Sequence, residues 1–413
     1  MQSGYPTLSL NERDRRWKRV RELMEARGLE CLVVAGFKGR EPAESYFSNE
    51  YSEGAVVFPA EGEPVCLCWT NSRVTRHWEN VLRGEAAWIE DVRDGSTGPD
   101  IVAALREKGY DRASIGVVGL ESREPGEPEG YIPYKTWSYV LEHLPGARFV
   151  DISHAFAELA LVKSEEELTL VRYSAQVGEA ACEAMLRTTR PGIAESEIYA
   201  AVMNAIFAHG ANARYPTLLL HSGPENLSWG PPMWLHRAQA PRVVQEGDLV
   251  QAEIFPCYGG METQQQMSIA TKPVHPAIAE CAGVARRSYE AGLKALRPGQ
   301  AFRKVVEAMS APILEAGLWT LTPLIHSMNP SSWVGGSGVG GTQLREQVPG
   351  LKNAGRRVSQ VQQEDLIIKP GMVFELEPNA CRGKHRVITG GTVVVSDDGA
   401  EELNKLATAM RVL

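Results

Sequence analysis

The sequence predicts two domains of different class, an α/β domain over residues 1–158 and an α+β domain over residues 159–413. Three observations carry that expectation. The chain has 413 residues, more than the roughly 250–300 at which one hydrophobic core stops growing. Its first third alternates strand-like and helix-like segments. Beyond Leu161, helices come in blocks between antiparallel strand pairs.

The first helix is expected to be capped by Asn11, with Trp17, Val20, Leu23 and Met24 at helical spacing and Gly28 as its stop. Cys31–Ala35 reads as a buried strand. Ala55–Phe58 and Val65–Trp69 flank the turn-prone Glu61-Gly62-Glu63-Pro64 and read as a hairpin. A helix from Pro99 to Lys108 leads to a strand over Ala113–Leu120, and a helix from Tyr134 to Leu144 leads to a strand over Arg148–Ile152. Ser164 and Glu167 form a capping box, opening a helix that ends near Arg187 before Pro191-Gly192. Another helix spans Glu195 to His209. Strands follow at Leu218–His221, Leu249–Tyr258 and Met261–Ala270, the last two joined at Gly259-Gly260. Helices over Ala277–Leu296 and Ala301–Ala316 divide at Pro298-Gly299. Met372–Glu377 and Val387–Val395 close the domain as strands.

With 43% hydrophobic and 23% charged residues, the chain is neither disordered nor fibrous. The net charge of −8 argues against a nucleic-acid surface, which needs a basic face to release counterions. No apolar run approaches the ~18 residues of a membrane span, and Met1–Leu10 lacks the apolar core of a signal peptide. Seven cysteines are few and odd in number, and Cys66 and Cys68 share a strand face without zinc-type spacing. A reduced, cytoplasmic protein fits. The glycine-rich Gly335–Gly341 lacks the Gly-Lys-Ser/Thr of a phosphate loop.

Four polar clusters stand out from the local pattern: Ser222–Asn226 followed by His236; Glu253, Glu262, Gln264 and Gln266; His326-Ser327; and Phe374–Asn379. On one continuous strand, Glu262, Gln264 and Gln266 fall on one face by period two. That stripe can bind an amide or urea-like group, or it can be a solvated outer face. Histidine exchanges protons near neutral pH, and a buried glutamate can orient it. His326 and Glu377 have also a plain reading as hydrogen-bonded core residues. His77, His143, His154, His209, His275 and His385 read as structural. Trp229, Trp234 and Trp333 beside these clusters read as packing, or as an aromatic box for an amine.

Ordered segments along nearly the whole chain resemble the pita-bread hydrolases, the family of methionine and Xaa-Pro aminopeptidases, prolidase and creatinase. They are Leu161–Glu167 at the domain junction, His221-Ser222-Gly223-Pro224, Glu246–Val250, Pro370–Phe374 with Glu377-Pro378, and Gly391–Val395 with Asp398-Gly399. The resemblance implies a creatinase-like N-terminal α/β domain and an α+β pita-bread catalytic domain. The family's peptidases hold two divalent ions on two aspartates, a histidine and two glutamates. Those positions fall here on Glu253, Gln264, His326, Glu377 and Gly390. Two of four carboxylates are thus missing, too few to balance two dications. The metal-free creatinase branch carries a histidine where this chain has His236, six residues before Arg242. Ile254-Phe255-Pro256 also resembles creatinase. Gln266 stands where creatinase has a glutamate, and Trp333–Gly341 offers no counterpart of its substrate arginine, so creatine itself is not the expected substrate.

The expectation is a metal-independent hydrolase, without metal or cofactor, that cleaves a C–N bond of a small amide, cyclic amide or guanidino compound. His236 would be the general base, Glu377 would hold it and the water, and His326 would donate to the developing oxyanion. Glu253, Glu262, Gln264 and Gln266 would bind the substrate. The alternatives are an Xaa-Pro-type metallopeptidase with one ion on Glu253, His326 and Glu377, and a non-catalytic descendant that binds peptides or a partner. The resemblance also implies a homodimer, with Glu44–Tyr51 near the neighbouring active site.

Overall fold

The computed structural model describes residues 4–36, 43–121, 130–227, 230–321, 323–337, 344–348 and 363–413. They form two compact units, Met1–Ala160 and Leu161–Leu413. The first unit contains α1 (Leu10–Arg27), β1 (Cys31–Ala35), α2 (Ser45–Ser48), β2 (Ala55–Pro59), β3 (Val65–Cys68), α3 (Asn71–Leu82), β4 (Asp91–Asp94), α4 (Gly98–Glu107), β5 (Ser114–Val118), α5 (Tyr134–His143), β6 (Arg148–Asp151) and α6 (Ser153–Ala160). The sheet order is β4-β3-β2-β1-β5-β6, with β1 antiparallel to β2 and parallel to β5. One face packs Trp17, Val20, Phe47, Phe58 and Phe156. The other packs Ile101, Leu105, Val140 and Leu144. Helices therefore cover both faces, as an α/β layer requires.

Several details differ from expectation. Ser9, not Asn11, caps α1, its Oγ accepting from the Glu12 N–H at 3.3 Å. The α3 helix escaped notice because Trp78 and Leu82 are exposed while His77 is buried, which inverts the usual amphipathic signal. β4 escaped because Asp91-Val92-Arg93-Asp94 carries the charges of a sheet edge. Within Glu44–Tyr51, Phe47 stacks on Phe156 with centroids 5.7 Å apart.

Glu44 itself is fully buried beside Gly36, where a Cβ would lie 1.6 Å from the Glu44 Oε2. Its Oε1 accepts from Ser52 Oγ at 3.3 Å, and Oε2 has no partner among the described residues. Burial raises its carboxyl from 4.5 to about 7, only partly opposed by the Ser52 bond and backbone N–H groups. The folded state thus holds a proton that the unfolded state releases first. The resulting stability is complete below pH 4.5 and is lost as pH rises through about 7. The loss amounts to about 3 kcal/mol. Glu44→Gln should flatten this part of the stability–pH curve and raise stability at pH 8, as denaturant titrations from pH 5 to 8 will report. An unchanged slope would remove Glu44 as its source.

The second unit contains α7 (Glu165–Thr188), α8 (Glu195–Ala208), β7 (Asn212–Gly223), β8 (Leu249–Tyr258), β9 (Met261–Glu262), β10 (Gln265–Ala270), α9 (Pro276–Ala295), α10 (Phe302–Glu315), β11 (Ile325–Ser327), β12 (Gly335–Gly336), α11 (Leu344–Gln347), β13 (Val373–Leu376), β14 (Asn379–Arg382), β15 (His385–Ile388), β16 (Gly390–Ser396), β17 (Gly399–Glu402) and β18 (Arg411–Val412). The main sheet runs β12-β11-β13-β16-β10-β8-β7, and β14–β15 is a separate hairpin. Ser164 and Glu167 form the expected capping box of α7, at 3.1 and 2.8 Å. Val250, Ala252, Ile254, Met267 and Ile269 face a core shared with Val177, Cys182, Met185 and Val202 of α7 and α8. By strand alternation Gln251, Glu253, Gln266 and Ser268 face the other way. Two expected strands are each divided. Met261–Ala270 breaks at Thr263-Gln264, and Val387–Val395 breaks at Thr389. No helix among the described residues is long and apolar enough to cross a membrane.

Candidate active site

Strand register brings the polar residues together. Glu253 on β8 lies opposite Gln266 on β10, which lies opposite Gly390 on β16. Two residues along, Thr392 on β16 lies opposite Glu375 on β13, which lies opposite His326 on β11. Directly opposed residues, and residues two apart, share a sheet face. Glu253, Gln266, Thr392, Glu375 and His326 therefore line one side of five adjacent strands, and all are buried. Glu377, just past β13, joins them. The polar stripe faces the interior and not solvent.

Glu377 is the centre of this group. Its Oε2 accepts from Gln266 Nε2 at 2.9 Å and from Gln264 Nε2 at 3.2 Å. Its Oε1 lies 3.5 Å from His326 Nε2. His326 Nδ1 lies 3.0 Å from the Ser327 carbonyl oxygen, which only accepts, so Nδ1 carries a hydrogen. In a neutral ring Nε2 would then point a lone pair at a carboxylate. The pair is matched when a proton sits between them, on either partner. A pair of this kind can hold a proton.

Further members have no role assigned to them from sequence. Glu375 is fully buried, and Thr392 Oγ1 donates to its Oε2 at 2.9 Å. Burial first, and then the nearby charge of Glu377, push its carboxyl well above the usual range. Thr392 Oγ1 also accepts from the Gln264 backbone N–H at 2.8 Å, which fixes the break between β9 and β10. Arg386 on β15 is buried, and its Nε donates to the Asn226 carbonyl at 3.1 Å. Asn226 accepts at Oδ1 from His221 Nδ1, while its Nδ2 donates to the carbonyls of Gly223 and Leu249 at 2.9 Å. Burial lowers the His221 imidazole, with the Asn226 bond opposing. Signals existed for two of these. Glu375 alternates with Glu377, and Arg386 is a charge followed by the apolar Val387-Ile388.

The other expected site residues divide. Glu262 is buried, but its backbone N–H and C=O bind the Asn329 side chain at 2.9 and 2.8 Å, so it is not on a continuous stripe with Gln264 and Gln266. The cause is the strand break. His236 is exposed at the end of a single 3-10 turn, Met233–Leu235. Its backbone N–H reaches the Met233 carbonyl at 3.0 Å, and among the described residues its ring has no hydrogen bond into the buried group. Trp333 is buried and Trp234 packs edge-on against Tyr199. Trp229 and residues 338–341 of the glycine-rich loop lie outside the described residues.

The donor set does not fit a pair of divalent ions. Two amide N–H groups point at the Glu377 oxygen that would face a cation. At Gly390, φ is 155° and a Cβ would lie 1.9 Å from the Leu376 carbonyl oxygen, so the backbone excludes any side chain there. Among the described residues no three His, Cys, Asp or Glu side chains converge as a metal site.

Residues 169–398 match metallopeptidase family M24, and residues 16–162 match the creatinase/prolidase N-terminal domain. The chain belongs to this family, and it is a hydrolase acting on carbon–nitrogen bonds. It is 21% identical to a creatinase of Bacillus sp. (strain B-0618), over 97% of this chain and 92% of that one. It is 22% identical to a Xaa-Pro dipeptidase of Pyrococcus furiosus, over 69% of this chain and 75% of the other. The prolidase of Pyrococcus horikoshii OT3 superposes with a TM-score of 0.71 at 15% identity, covering 95% of this chain and 98% of that structure.

Proposed function

We propose that the chain is a metal-independent hydrolase that cleaves a C–N bond of a small amide, cyclic amide or guanidino compound. The observation that carries this reading is the pair of amide donors, Gln264 and Gln266, on Glu377 Oε2. In this reading the His326–Glu377 pair takes a proton from water as its oxygen adds to the substrate's unsaturated carbon. The pair then delivers that proton to the leaving nitrogen as the C–N bond breaks. Glu253, Glu262, Gln264 and Gln266 contact the substrate's polar edges, and His236 meets it from the solvent side as a second proton carrier. A homodimer in a reducing cytoplasm belongs to the same proposal, and seven buried free cysteines support that compartment.

Purified protein should contain less than one equivalent of any transition metal and should keep its activity in a chelator. Two tightly held ions per chain by elemental analysis would sink the reading. A second reading is an Xaa-Pro-type peptidase with one ion on Glu253, His326 and Glu377. Its support is that relatives are named Xaa-Pro dipeptidase and prolidase. Activity on Xaa-Pro dipeptides that disappears in chelator and returns with Mn²⁺ would decide for it.

A further inference from the structure

We infer that His221, Gln251 and Gln266 form a substrate subsite for a primary ammonium group, on the same sheet face as the His326–Glu377 pair but to one side of it. The inference rests on the proposed function above and narrows the substrate to one that carries an amine beyond the scissile C–N bond. Register assembles the three residues. His221 on β7 lies opposite Gln251 on β8, Gln251 lies opposite Ser268 on β10, and Gln266 is two residues before Ser268. Directly opposed residues, and residues two apart on a strand, share a face. His221 therefore joins the face that holds Glu253 and Gln266, while Leu218, Leu220 and Ala252 pack in the core behind it. Hydrogen bonds then decide which atom each side chain leaves over. Asn226 Nδ2 donates to the Gly223 and Leu249 carbonyls at 2.9 Å, so Oδ1 is the atom beside His221. His221 must donate from Nδ1, which leaves a lone pair on Nε2. Burial lowers the imidazole, with the Asn226 bond opposing, and so favours that neutral ring. Ser268 Oγ donates to the Ile388 carbonyl at 2.7 Å, so it accepts from Gln251 Nε2 at 3.2 Å. Gln266 Nε2 is held on Glu377 at 2.9 Å. The atoms left are His221 Nε2, Gln251 Oε1 and Gln266 Oε1. Both amide oxygens are buried without a partner, and among the described residues no hydrogen bond reaches His221 Nε2. All three atoms only accept, and a buried acceptor left unpaired is costly. A carboxylate or carbonyl would set lone pair against lone pair. An alkylammonium brings three N–H donors and no acceptor, which matches both count and polarity. Glu253, opposite Gln266 on the same face, gives the subsite an acidic neighbour. The reacting pair lies toward β13 and β11, and the subsite toward β8 and β7, so the amine sits beyond the scissile bond and not at it.

Binding can be read without turnover, by titration calorimetry of the full chain with butylammonium, trimethylbutylammonium and butyrate. The first two carry the same charge, and only the first has N–H donors. Butylammonium should bind about tenfold or more tighter than the trimethyl ion, the worth of hydrogen bonds to a charged group, and butyrate should not bind. Gln251→Leu and His221→Leu should each weaken butylammonium by about tenfold, whereas Gln251→Glu, which keeps an acceptor, should bind it at least as tightly as wild type. Equal affinity for the two ammonium ions, or undiminished binding in both leucine variants, would overturn the inference. Absence of butylammonium binding overturns it as well and leaves ordered water as the occupant. If the leucine variants do not fold, the wild-type comparison and Gln251→Glu decide alone. Turnover keeps the subsite and the proposed function apart. Amides and guanidines ending in a primary amine should show kcat/KM about tenfold above their methyl-ended counterparts, a preference that Gln251→Leu loses. Hydrolysis with no such preference removes the subsite alone. Metal-free protein that hydrolyses none of the panel yet binds butylammonium as described removes the metal-independent reading and leaves the subsite.

Discussion

Glu377→Gln is expected to lower turnover by about 10²–10⁴-fold, the usual worth of a positioned acid or base, and to leave the fold intact. The glutamine carbonyl can still accept from Gln264 and Gln266, whose Nε2 atoms lie 3.2 and 2.9 Å from the present carboxylate oxygen. What disappears is the negative charge that lies 3.5 Å from His326 Nε2. Product release from a panel of amides, cyclic amides and guanidines, beside a circular-dichroism melt, reports both parts. Turnover within twofold of wild type would remove Glu377 from the chemistry. His326→Ala and His236→Ala belong in the same experiment. His236 is exposed on its loop, so its replacement should hardly change Tm. A large loss of turnover in His236→Ala would establish it as a proton carrier, and near-normal turnover would leave the buried pair to act alone.

The second large effect is on stability. Gly390→Ala places a Cβ 1.9 Å from the Leu376 carbonyl oxygen at a residue with φ of 155°. The contact is with backbone, so no side-chain rotation relieves it. Overpacking and backbone strain together cost roughly 4 kcal/mol, which lowers Tm by about 10 °C in a unit of this size. The same contact forbids restoring the family's last glutamate by a single Gly390→Glu change. A thermal melt checks the first point. A stable Gly390→Glu variant that gains a bound ion would show that β13 and β16 can move apart.

The fold was legible where hydrophobic period and caps agreed. Ser164 and Glu167 announced α7, and the antiparallel run on either side of Gly259-Gly260 announced β8 and its partner. It was illegible where burial ran against type. α3 hides His77 and exposes Trp78, while β4 is a charged edge. In the site, His326, Glu377, Gln264 and Gln266 could be selected by resemblance, and register then explained why they meet. The continuous stripe expected for Glu262, Gln264 and Gln266 is interrupted, because the strand on which their period was counted breaks at Thr263-Gln264. Glu375 lay inside the Phe374–Asn379 cluster, yet its alternation with Glu377 and the apolar residues after Arg386 were signals too weak to give either residue a role. Nothing local distinguishes a charged residue folded inward by a hairpin from one left in water.

On the metal-independent reading, the clamp on Glu377 also bears on what kind of inhibitor the pocket would admit. Hydroxamates and thiols gain their grip by chelating an ion, so the proposed chemistry offers them little. An amidine fork could instead engage Glu377 with one N–H on each carboxylate oxygen, where the glutamines now place both donors on Oε2, and it adds a positive charge. Such a compound would displace the glutamine amides in function while mimicking a guanidino substrate. Amidines are therefore the better starting scaffold for ligand discovery against this pocket.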